Sequence, residues 1–282
     1  MRFASRTPLP PPSTKPIGWQ QPSRKHAMKI NQREFDEYLA GLAQDDPAVR
    51  EKAARGLAKY SNTEWQGTPD AMSAAVPVLA KATRLRGATP SDITVRAESA
   101  KALGNIGGES PVVVAELLRL LKEDSESGVR TEAAHALGKI GERAETASRA
   151  LAAVISDPDS GDILRGEATW ALARVGPLAP GTAATLGAAV DDRSGYVAVR
   201  AAEALWKVSG DAGRAVLALV ARLADPTVRH AAAQALNRIG PGAKGAVPAL
   251  LIAAKSKDRL FRESVVMALR KIDSVAATKA GL

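Results

Sequence analysis

Apolar residues recur along most of this chain at intervals of three and four. Val95–Gly107 reads VRAESAKALGNIG, and Val129–Gly141, thirty-four residues on, reads VRTEAAHALGKIG. With the first valine as position 0, the template is V-R-x-x-A-A-x-A-L-x-x-I. It recurs seven times, with its leucine at Leu57, Leu103, Leu137, Leu172, Leu205, Leu236 and Leu269, spaced 46, 34, 35, 33, 31 and 33 residues apart. Positions 0, 4, 8 and 11 lie on one face of a helix, so each copy predicts an amphipathic helix of about three to four turns.

A second apolar helix is predicted before each copy. Examples are Val112–Asp124 (VVVAELLRLLKED), Ala215–Asp225 (AVLALVARLAD) and Ala246–Asp258 (AVPALLIAAKSKD). A pair of about 33 residues cannot bury both its faces alone, and stacked neighbours build a continuous core. The expected fold is therefore all-α: a right-handed α-solenoid of about seven helix pairs over residues 29–282.

The turn between the two helices of a pair has its own pattern. Asp46-Pro47 and Asp225-Pro226 set a capping carboxylate before a proline at the first helical position. Position 1 is arginine in six copies: Arg50, Arg96, Arg130, Arg165, Arg229 and Arg262. Asp46, Asp92, Glu126, Asp225 and Asp258 each stand four residues before one of these arginines. These residues predict a ladder of charge-assisted hydrogen bonds tying turn to helix, within and between repeats. The fifth copy departs, with Ala198 at position 1 and its arginine displaced to Arg200.

The pattern D-P-x-V-R-x-x-A-A-x-A-L-x-x-I-G resembles HEAT repeats, in the short alanine-rich form of phycobilin lyases and related bacterial proteins, over about residues 30–276. The resemblance implies that the second helix of each pair lines a concave face. It implies no single activity, because this scaffold serves lyases, DNA glycosylases, hydroxylases and adaptors.

On that concave face the outward positions are 3, 6 and 10. Position 10 reads Lys59, Asn105, Lys139, Arg174, Lys207, Arg238 and Lys271, a ridge of cations in all copies but one. Such cations also complement the helix dipole in the last turn. Position 3 supplies Glu98, Glu132 and Glu167, which offset the ridge in the middle repeats. Trp170 and His135 take position 6 of the fourth and third copies, and Trp206 takes position 9 of the fifth. They form either an aromatic patch on the concave wall or packing between repeats, and tryptophan is enriched at binding hot spots. The candidate partner site is thus His135, Lys139, Trp170, Arg174, Lys207, Arg238 and Lys271, with Trp206 at its border.

Composition narrows the function classes. The chain is 45% hydrophobic but only 4% aromatic, which suits closely packed, alanine-rich helices. It has no cysteine, which excludes disulfides, thiolate metal sites and cysteine nucleophiles. No apolar run is long enough to span a membrane, and a cytoplasmic protein is expected. The net charge of +9 suggests a nucleic-acid partner, but seven cations and no acid fall in residues 1–33, leaving +2 for the rest. Residues 1–28, with six of the 17 prolines, are expected to be a disordered basic tail. Met28, just before the first helical pattern, is a possible alternative start. The histidines His26, His135 and His230 are scattered, and no phosphate loop, dinucleotide fingerprint or nucleophile elbow appears, so no metal or cofactor is implied. The expectation is a non-enzymatic scaffold holding a protein or peptide on its concave face. The alternatives are a nucleic-acid binder using tail and ridge, and a phycobilin-lyase-like enzyme or chromophore chaperone.

Overall fold

A computed structural model describes residues 32–60, 69–106, 110–210 and 212–282. The proline-rich basic tail lies outside the described residues. Fifteen α-helices and no strand occur among the described residues. Seven template copies become α2 (Pro47–Leu57), α4 (Pro90–Ile106), α6 (Ser127–Ile140), α8 (Asp162–Val175), α10 (Gly195–Ser209), α12 (Arg229–Ile239) and α14 (Arg259–Ile272). Their partners are α1 (Gln32–Gly41), α3 (Pro69–Ala82), α5 (Pro111–Glu123), α7 (Ser148–Ser156), α9 (Thr182–Ala189), α11 (Ala212–Arg222) and α13 (Val247–Ala253). A last short helix, α15 (Ser274–Lys279), packs on α14.

The expected periodicity is what buries each helix. The seven leucines at position 8 are between 0% and 7% exposed, and the small residues at position 4, Ala53, Ser99, Ala133, Ala168, Ala201 and Ala232, are between 0% and 2% exposed. Small residues let the template helices pack directly on one another, most tightly from α4 through α6 to α8. Gly104 and Gly138 carry this furthest. A Cβ on Gly104 would stand 2.5 Å from the Ala136 Cβ, and one on Gly138 would stand 2.4 Å from the Trp170 ring. The partner helices touch their own neighbours far less. The closely spaced template layer is therefore the inner, concave wall, and the splayed layer is the outer one. The result is an all-α solenoid of seven helix pairs.

The turns are fixed by side-chain caps. Asp46 accepts from the Ala48 N–H at 2.8 Å with Pro47 at the first helical position, and Asp258 accepts from the Phe261 N–H at 3.1 Å. Asp225-Pro226 behaves differently. Asp225 folds onto Thr227, accepting from its N–H at 2.9 Å and from its hydroxyl at 2.6 Å, and α12 begins only at Arg229.

Three of the six position-1 arginines, Arg96, Arg165 and Arg229, hydrogen-bond a carboxylate of the next repeat. The Arg96 Nε lies 2.8 Å from Asp124, both side chains being almost fully buried, while its Nη1 donates to the Gly87 carbonyl at 2.7 Å. Arg165 pairs with Asp192 and with Asp162, and Arg229 meets Asp258 at 2.8 Å. Arg50 binds the Asp45 carbonyl at 2.7 Å and approaches Asp92 at 3.6 Å, and Arg262 donates to the Ser256 carbonyl at 2.8 Å. Two details differ from the sequence expectation. No position-1 arginine pairs with the acid four residues before it, because Asp46 and Asp225 turn to cap local N–H groups. The Glu126 carboxylate accepts from the Ser125 hydroxyl at 3.5 Å, and Asp124, two residues earlier, takes the rung instead. Arg130 feels the charge of Asp157 in the next repeat without a hydrogen bond to it.

Candidate functional site

The inner wall carries its side chains in the register the template sets. Trp170, projecting from α8, leans back across α6. Its ring is stacked on His135 at a centroid distance of 4.8 Å and an interplanar angle of 12°, and it lies over Gly138. This lean is possible only because position 9 of the third copy has no side chain. Arg174, one turn further along α8, places its guanidinium 5.0 Å from the same ring centre. Its Nε donates to the Gly138 carbonyl at 2.7 Å, which fixes the head group.

Trp170 and Arg174 form one side of a cleft of about 1020 Å³ on the inner wall of repeats three to six. Arg200, Glu203 and Lys207 of α10 and Arg238 of α12 form the other side. The floor is apolar: Ile140, Ala173, Pro177 and Ala204. Glu142 and Arg143, from the 3-10 turn Gly141–Ala147, close one end. Beside Pro177, Leu178 is 92% exposed.

The charges inside the cleft are only partly matched. Glu203 accepts from Lys207 at 2.9 Å and from Arg238 at 2.7 Å. Burial works to raise the Glu203 pKa, but these two cations outweigh it and hold the carboxylate below its ordinary value. Arg200 is bound to Glu167 and Tyr196, while the other Glu167 oxygen faces His135 Nδ1 at 3.1 Å. The His135 hydrogen bond is the main reason that Glu167 titrates below the ordinary carboxylate range. Among the described residues Arg174 has no carboxylate partner; only the neutral Gly138 carbonyl receives it. One whole cation, and the surplus of two cations over one carboxylate at Glu203, therefore face the cleft.

The sequence-derived candidates divide accordingly. Trp170, Arg174, Lys207 and Arg238 come together around the cleft. His135 supports the indole from below. Lys139 lies outside the cleft, its Nζ bonded to Asn105 at 2.7 Å, and burial first, then Lys101, lowers its pKa. Lys271 lies one repeat beyond, across Gly240. Trp206 is half-buried against the core and does not line the cleft. Glu203, Arg143 and Pro177 were missed. Glu203 was legible, being at position 6 and four residues before Lys207; Arg143 belongs to a turn outside the template. No group of three or more His, Asp or Glu residues is placed to hold a metal ion among the described residues. No helix among them is long and apolar enough to cross a membrane.

The family model described as HEAT repeats matches residues 84–173 and 182–270, well over half of the chain. The chain belongs to the HEAT-repeat family. Among solved structures, this HEAT array is similar to that of Escherichia coli YibA, with 17% identity and a TM-score of 0.56, over 86% of this chain and 82% of that one. It is also similar to a Kap121p mutant, at 14% identity and a TM-score of 0.52, over 90% of this chain but only 35% of the other. At these identities the likeness is one of fold. Among curated proteins, none matches the chain.

Proposed function

We propose that this HEAT array is a non-enzymatic scaffold that holds a protein or peptide partner on its inner wall. The observation that carries the reading is the cleft at Trp170. It combines a supported aromatic face, an apolar floor and cations in excess of acids, and its volume of about 1020 Å³ admits several side chains. The uses known for the HEAT fold, which include binding other proteins, agree with that reading. The test is affinity capture from native extract with the wild-type chain and with Trp170→Ala, each with and without nuclease. A protein retained by the wild type, lost with Trp170→Ala and indifferent to nuclease supports the scaffold. Retention that survives Trp170→Ala, or that nuclease abolishes, overturns it.

A further inference from the structure

We infer that the partner segment taken by the cleft is a short acidic peptide, one of its carboxylates docking on Arg174. The inference rests on the scaffold reading and adds the chemistry of the ligand.

The first reason is the state of Arg174. Its Nε is committed to the Gly138 carbonyl at 2.7 Å and its plane is held 5.0 Å from the Trp170 ring centre, so the guanidinium is oriented before any ligand arrives. Its two Nη groups have no acceptor among the described residues. A fixed guanidinium fork with free donors matches a carboxylate in two-pronged geometry, and little side-chain entropy remains to be lost on binding.

The second reason is the opposite wall. Lys207 and Arg238 share the single carboxylate of Glu203, at 2.9 and 2.7 Å. That side carries one positive charge more than it neutralises. Two surplus cations thus flank an apolar floor, which suits a peptide with acids on either side of an apolar residue. The exposed Leu178, next to cleft-lining Pro177, extends the apolar strip at the rim.

The third reason separates a peptide from a nucleic acid. A long polyanion following the inner wall towards the first repeats would meet Glu98, Glu132 and Glu167, which occupy the register that Arg200 takes in the fifth repeat. These carboxylates interrupt the cationic ridge beyond the cleft, which suits a short acidic segment and not a duplex.

The experiment uses the full chain and three labelled probes in fluorescence anisotropy: a short peptide of alternating Glu and Leu, a Lys/Leu peptide of equal length, and a single-stranded oligonucleotide of matching net charge. The Glu/Leu peptide is expected to bind, to weaken with salt, and to lose about tenfold or more in affinity with Arg174→Gln. Lys207→Gln should weaken it less, since it leaves Arg238 to neutralise Glu203. Lys59→Gln, at the same register in the first repeat, should change nothing. Melting curves recorded beside each titration separate lost binding from lost folding, and Lys207→Gln serves should Arg174→Gln unfold. The inference is overturned if the acidic peptide does not bind, if the oligonucleotide binds as tightly with the same Arg174 dependence, or if Lys59→Gln costs as much as Arg174→Gln. A protein captured through Trp170 by a chain that ignores the acidic peptide would sink this inference and leave the scaffold standing. Loss of both would sink both.

Discussion

Two junctions between successive inner helices, α6 with α8 and α10 with α12, are built from the same template and packed very differently. At the first, Gly138 at position 9 admits Trp170 and the Ala171 backbone, and the helices lie along one another for most of their length. Buried arginine–aspartate rungs stand on either side, Arg96 with Asp124 before it and Arg165 with Asp192 after it. At the second junction Trp206 takes the glycine's register, and Ala198 takes the arginine's. Asp225, where a rung would land, is satisfied locally by Thr227, α12 starts late, and α10 and α12 touch far less. The junction of α10 with α12 lacks both a small residue at position 9 and a cation at position 1; there the wall opens, and the cleft lies beside that opening.

Substitutions can break this comparison. The largest expected effect is that of Arg96→Ala. It strands Asp124, whose side chain is 6% exposed, and uncompensated buried charge costs about 3–5 kcal/mol. Arg229→Ala, whose pair is about 30% exposed, should cost no more than about 1 kcal/mol. Denaturant unfolding of both variants measures the difference, and equal losses would show that burial does not grade the rungs.

The outer layer offers a second contrast. Glu116 on α5 accepts from Thr83 at 2.6 Å, from Arg84 at 2.8 Å and from Arg119 at 2.7 Å. α11, which buries Ala215, Val216 and Leu219 in the register of Val113, Val114 and Leu117, carries the half-buried Ala218 in the place of Glu116. Burial alone would raise the Glu116 pKa; its hydrogen bonds overcome this and bring it from 4.5 to about 2. A carboxylate with a depressed folded pKa adds stability that is complete above the unfolded value and disappears as pH falls from about 4.5 to about 2. The full effect is roughly 3 kcal/mol. Glu116→Gln should flatten the acid limb of a stability-against-pH curve in that window, and Ala218→Ser should leave it unchanged.

Gly138→Ala tests the tight junction itself. The added methyl group would overlap Trp170, and such overpacking costs about 1–3 kcal/mol. It should also disturb the His135–Trp170 stack, seen as a change in tryptophan emission. The smallest effect is expected at the open junction. Asp225→Ala removes the local turn and a contact with Gly195, for about 1 kcal/mol, and should leave hydrogen exchange in the body of α10 unaltered because no rung crosses from there.

How far the sequence alone could be read follows from the same two positions. The seven leucines fixed the register of every inner helix, and the register placed Trp170, Arg174, Lys207 and Arg238 on one wall. The rungs were legible in type and only in part in partner: Asp92 and Asp258 meet Arg50 and Arg229 of the preceding repeat, but Asp124 and Asp192 were not foreseen. Spacing along the chain pairs Arg96 with Asp92, four residues away, whereas stacking brings Asp124 from the next repeat against it. The cleft was legible residue by residue but not as an opening. It depends on what Ala198 and Trp206 fail to do, on a helix start displaced from Pro226 to Arg229, and on Arg143 from a turn that the template does not include.

The absent rung at Ala198 also has a mechanical meaning. A solenoid clamped at each step by buried ion pairs and interlocked backbones is stiff, and its bending concentrates at whichever step lacks both. Here that step divides the first five repeats from the last two, and a peptide docked as inferred, reaching from Trp170 to Arg238, would bridge it.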